Sequence, residues 1–118
     1  MKYSFKIKLS TYNCELQFYV VDALNIEVNK LYKKYKMNEV FDESAEGVLF
    51  TPDIDKYILV IDIKYLSHNT ISHEIFHAVM KITEDRDIED EEAQAWLVGH
   101  ITGDVYKFLN KKSIQING

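Results

Sequence analysis

The chain is poor in residues that staple, kink or span. Its 118 residues include one cysteine and one proline. A lone Cys14 cannot form an internal disulfide and has no partner cysteine for a metal site. It reads as a small strand residue in a reducing, cytoplasmic setting. No apolar run approaches the roughly 20 residues of a membrane span. The opening MKYSFKIKLS alternates where a signal peptide would carry an apolar core. The expectation is therefore a chain with no leader and no membrane association. Basic residues are outnumbered: 14 Lys and Arg against 19 Asp and Glu leave a net charge of −5. That is the wrong sign for binding phosphates, so nucleic acid is not an expected partner. No internal repeat, linker or second domain is visible. The length fits one domain, residues 1–118, with one core. The 47% hydrophobic and 28% charged content is that of a folded globular chain.

The apolar residues that are present fall into two periods. Phe5, Ile7 and Leu9 alternate with lysines, and Leu16, Phe18 and Val20 alternate with polar or aromatic residues. With Ser10–Asn13 between them, the two runs predict a hairpin with one buried face. Asp22 is placed as the N-cap of a helix carrying Leu24, Val28, Leu31 and Tyr35 and ending near Asn38. An acidic loop follows to Glu46. Val48–Thr51 and Tyr57–Leu66 read as strands around the Pro52-Asp53 turn, able to pair as a second hairpin. The near-continuous apolar character of the second run predicts cover on both of its faces. A helix capped from Ser67, Asn69 or Thr70 should run to about Ile82, with Ile71, Ile75, Ala78, Val79 and Ile82 as its apolar stripe. A last helix should cover about Ile88 to Asn110, with Asp90 as an alternative N-cap. The order β-β-α-β-β-α-α predicts an α+β fold: about four strands packed on an N-terminal helix and two C-terminal helices.

The chemistry lies in SHEIFHAV, residues 72–79. His73 and His77 stand at i and i+4, so both imidazoles project from one helix face. There they can reach a single ion about 2 Å from each ring nitrogen. Glu74 lies about 100° round the helix. It is poorly placed to join both histidines as a ligand, but can reach a metal-bound water and act as general base.

A catalytic zinc usually takes three protein ligands and a water. His100 is one candidate for the third. The metzincin-type continuation is excluded, because Met80 stands where it needs Gly and Asp85, not His, lies near the place of its third histidine. An antiparallel helix pair turning near residues 83–87 would set residues 91–93 level with His77, which points to Glu91 and Glu92. Three, seven and eleven residues after Glu92 come Ala95, Gly99 and Gly103. Such a small-residue stripe would let two helices approach closely, so Glu92 is preferred and Glu91 is the substitute.

SHEIFHAV followed by EDEEAQAWLVGHITG resembles a gluzincin, the zinc-peptidase group with HExxH and a downstream helical Glu. The size and element order are similar to those of minimal gluzincins and ImmA/IrrE-type metallopeptidase domains. The motif resemblance spans about residues 69–103. It implies a zincin-like fold, Zn²⁺ held by His73, His77 and Glu92, Glu74 as catalytic base, and a peptide or protein substrate. It also implies an edge strand beside the site, here Val48–Thr51, adding to an extended peptide. Three departures stand out. The Asn-x-Phe-Ala signature is missing, with Gln94 and Trp96 near its place. Trp96 also occupies the position, four after Glu92, where thermolysin-like enzymes carry an Asp. For stabilising the tetrahedral intermediate only His100, Tyr106 and Tyr65 suggest themselves.

Blander readings stand beside these. Seven of the nine residues from Glu84 to Glu92 are acidic, which suits a solvated turn and a helix N-terminus. His68 reads as a loop histidine. His100, about 80° from Glu92, suits packing better than ligation. The leading expectation is a zinc metallopeptidase. Its alternative is a catalytically silent zincin-fold protein serving as a binding or structural component, for example in a phage or bacterium. The abundance of Lys, Ile, Asn and Tyr is compatible with an AT-rich bacterial or phage genome.

Overall fold

The computed structural model describes residues 2–118. Strands β1 (Lys2–Leu9) and β2 (Cys14–Val21) form the first hairpin, and helix α1 (Leu24–Lys34) follows. Strands β3 (Gly47–Asp53) and β4 (Lys56–Asp62) form the second hairpin, before helices α2 (His68–Asp85) and α3 (Glu91–Lys111). The fold is α+β, with one four-stranded mixed sheet in the order β1-β2-β4-β3. Among the described residues, no helix is long and apolar enough to cross a membrane.

The first hairpin turns through Ser10–Tyr12 and a left-handed Asn13 (φ 57°), pairing Leu9 with Cys14 and Phe5 with Phe18. The second turns at Asp55 (φ 61°), and its ladder is irregular between Phe50 and Asp53. That bulge on the outermost strand accommodates Pro52, which has no N–H to give. Between the hairpins, β2 and β4 pair in parallel. A parallel pair needs a long crossover, supplied by α1, the acidic loop and β3. This pairing was not legible from two separate hairpin patterns.

Because β4 is central, its alternating side chains serve two cores. Tyr57, Leu59 and Ile61 join Leu16, Phe18 and Val20 against Ile75 and Val79 of α2 and Leu97 and Ile101 of α3. Ile58 and Val60 turn the other way, onto Val28, Leu31 and Tyr32 of α1. The sheet is thus sandwiched between α1 and the α2–α3 pair, and β4 has cover on both faces as its composition predicts.

Five boundaries differ from expectation. Asp22 does not cap α1: the N-cap position falls at Ala23, which makes no side-chain cap, and the helix stops at Lys34, before a left-handed Lys36 (φ 55°). The end of β4 gives way to a short 3-10 turn over Ile63–Tyr65, capped by Asp62. Helix α2, capped by Ser67, continues past Ile82 to Asp85, and α3 begins only at Glu91, with Asp90 as its cap. The hydroxyl of Thr83 donates to the Val79 carbonyl (2.9 Å) and extends the apolar face of α2 by one position. These last shifts matter at the site.

Candidate metal centre

His73 and His77 lie on the exposed side of α2, and Glu74 beside them turns inward. The two Nε2 atoms are 3.1 Å apart, with the rings 4.6 Å between centroids and inclined at 77°. Two nitrogens each about 2 Å from one tetrahedral ion stand about 3.3 Å apart, so the pair is spaced for a shared ion.

Glu74 is only 8% exposed. Its side chain packs under the start of β3: a β-carbon added to Gly47 would sit 3.0 Å from its Cδ and 3.2 Å from Oε1. Burial pushes the Glu74 carboxyl above its ordinary value; the two histidines act against that shift and Glu46 with it. A buried carboxylate with a raised pKa is the usual profile of a general base. Edge strand β3 therefore runs beside the histidine pair, close to where Val48–Thr51 was expected.

The third ligand is not brought to the pair. Among the described residues, no three His, Cys, Asp or Glu side chains form a group able to hold a metal ion. The reason is helix register. The Nδ1 of His68 lies 2.7 Å from the Tyr106 hydroxyl, and His73 and His77 share a cleft with Val98 and Thr102. Residues level with the pair are thus near 98–102. Glu92 stands six positions before Val98, about 9 Å along the axis at 1.5 Å per residue. The expected levelling of 91–93 with His77 placed the end of α2 too early; each residue added to α2 moves the register.

The reason for preferring Glu92 also changes. Gly99 and Gly103 face open space, and Ala95 is exposed. These three lie on the solvent side of α3, because Leu97 and Ile101, each two residues earlier and about 200° round the helix, are buried in the core. The small-residue stripe does not bring two helices together. The face that meets the histidine cleft carries Val98 and Thr102, which fall in line with Glu91.

The candidates for stabilising an intermediate lie elsewhere. His100 stacks on Trp96 (5.0 Å) and faces Asp104 (3.7 Å). Tyr106 is occupied with His68, and Tyr65 borders a groove near Asp22 and Phe41. Two residues that sequence patterns did not single out belong to the site, Glu46 and Gly47. They share a pocket with Thr70, His73 and Glu74. Only the spacing of the acidic loop before a short strand hinted at them. No family model, curated protein or solved structure matches this chain.

Proposed function

We propose that this protein is a zinc-dependent metallopeptidase of zincin-like, minimal gluzincin type, hydrolysing peptide bonds in an extended peptide or protein segment. The observation that carries this reading is the 3.1 Å approach of the His73 and His77 Nε2 atoms beside a buried Glu74. The two imidazoles fit a zinc ion as ligands. A bound zinc would supply Lewis-acid activation of a water at neutral pH. Glu74 accepts the proton of the attacking water and returns one to the leaving amine. Its burial keeps it basic enough for that exchange. The exposed edge of β3 aligns the substrate backbone. Coordination by Glu92, or by Glu91 in its place, requires the first turn of α3 to move towards His77.

A second reading is favoured by the apolar surface around the pair. Phe76 is 57% exposed and Val98 is exposed beside the same cleft, while Met80 is exposed in the pocket that His77 shares with Glu74 and Gly47. Such a rim suits a protein that holds a partner without cleaving it. Elemental analysis of untagged protein purified without added zinc, with cleavage of a broad peptide panel, separates the two. The metallopeptidase reading expects about one zinc per chain and cleavage abolished by Glu74→Gln. The binding reading expects zinc without cleavage. Protein free of metal, or cleavage that survives Glu74→Gln, overturns the proposed mechanism.

A further inference from the structure

We propose that Glu46 forms a subsite for a primary ammonium group of the ligand, immediately beside the histidine pair. The inference rests on the reading above only in taking the His73 side of α2 as the place where substrate lies.

The pocket is small, about 400 Å³, and sits between the start of β3 and the first turns of α2. Its walls are nearly all polar: Glu46, Asn69, Thr70, His73 and Glu74, with Ala45 and Gly47 as the small residues that leave room. Glu46 is held from two sides. Its backbone carbonyl accepts from the Asp62 N–H (3.2 Å), and its Oε2 accepts from the Thr70 hydroxyl (3.3 Å). Thr70 is in turn fixed by Ser67, through backbone N–H to Oγ and between hydroxyls, both at 3.1 Å. The carboxylate is therefore positioned before any ligand arrives.

Glu74 closes the same pocket. It is more than nine-tenths buried, and no hydrogen bond to its side chain is present among the described residues. The lining holds two carboxylates, the exposed Glu46 and the buried Glu74, and no lysine or arginine. His73 and Glu74 already serve the histidine-pair site, which leaves Glu46 for a second charged group. A primary ammonium fits it. Its three N–H donors diverge, and the pocket offers carboxylate, hydroxyl and amide oxygens from several sides. Such a group comes either from a peptide N-terminus or from a lysine side chain.

The test uses the full chain and three tripeptides with N-methylated, uncleavable bonds: one with a free N-terminus, one N-acetylated, and one N-acetylated with lysine as its first residue. Binding is followed by the amide signals of Gly47 and Thr70, with zinc content measured on the same samples. Wild type should bind at least one ammonium peptide about tenfold more tightly than the acetylated control, as a charge-assisted contact predicts. Which of the two it prefers identifies the source. Glu46→Gln should bring the ratio to about one without changing zinc content, and Glu46→Lys should turn the preference towards an N-succinylated peptide. Equal or absent binding of all peptides by wild type, or a preference that survives Glu46→Gln, overturns the inference. A metal-free, inactive protein that still prefers ammonium would end the metallopeptidase reading and leave this one standing.

Discussion

Gly47 and Glu74 meet at the point where the edge strand crosses the HExxH helix: a β-carbon on Gly47 would stand 3.0 Å from the Glu74 Cδ. That spacing is tighter than ordinary van der Waals contact, so any side chain at position 47 must displace the carboxyl. Gly47→Ala should cost about 1 kcal/mol or less in stability, since overpacking is offset by a less flexible unfolded chain. It should lower any cleavage rate by about tenfold or more, because small misplacements of a catalytic group are costly. A double-mutant cycle with Glu74→Ala checks the cause. The stability cost should vanish once the Glu74 side chain is removed.

The glycines of α3 behave oppositely. Gly99 and Gly103 have nothing within 4 Å of an added β-carbon. Replacing both with alanine should raise stability by on the order of 1–2 kcal/mol through helix propensity alone. Thermal melts of Gly99→Ala, Gly103→Ala and the pair measure this. Destabilisation would mean that this face is packed against something.

Arg86 ties the end of α2 to the sheet. Its guanidinium donates to the Tyr12 carbonyl (2.8 Å), the Tyr57 hydroxyl (2.8 Å) and the Ile82 carbonyl (3.3 Å), and pairs with Asp55. Its side chain is 15% exposed, so the contacts to Tyr12, Tyr57 and Ile82 are largely shielded from water, whereas Asp55 is 47% exposed. Arg86→Ala should cost about 2–3 kcal/mol in urea unfolding. Arg86→Lys should recover little, because a point charge cannot span four acceptors.

Tyr57 sets a high-pH limit. Burial, with help from its hydrogen bond to Asp85 and against the pull of Arg86, pushes its phenol up from 10 to about 12. The neutral phenol is the form the fold favours. Its contribution is therefore full below pH 10 and is lost as pH rises from 10 through about 12, on the order of 2 kcal/mol by the end. The fall in wild-type stability over that window should be shallower in Tyr57→Phe. Absorbance at about 295 nm, read as wild type minus Tyr57→Phe, should show one phenol titrating late.

Zinc should stabilise the chain by mass action, by about 2.7 kcal/mol at a hundredfold excess over its Kd. His73→Ala and His77→Ala should each abolish that shift in melting temperature. Glu91→Ala and Glu92→Ala, measured the same way, identify which carboxylate moves in. If neither alters zinc affinity, the third ligand is not at the start of α3.

Local patterns determined much of this protein. Alternation marked the strands, helical spacing marked α1, α2 and α3, and the HExxH spacing alone set His73, Glu74 and His77 on one stretch of helix. These are readable because each depends on residues a few positions apart, where helix and strand geometry is fixed. Ends of elements were less legible: Thr83 and Arg86 let α2 outlast its hydrophobic stripe, through contacts to Val79 and to the distant Tyr12 and Tyr57. Only the tertiary structure decided what those ends control. The parallel join of β2 to β4 placed β3 at the sheet edge, and so brought Glu46 and Gly47 over Glu74. The position of the α2–α3 turn, a few residues later in the chain than helical spacing suggested, set Val98 and Thr102, rather than Glu91 or Glu92, opposite the histidines. A helix advances about 1.5 Å per residue, so a boundary misplaced by a few residues moves a partner side chain by more than a metal–ligand bond can span.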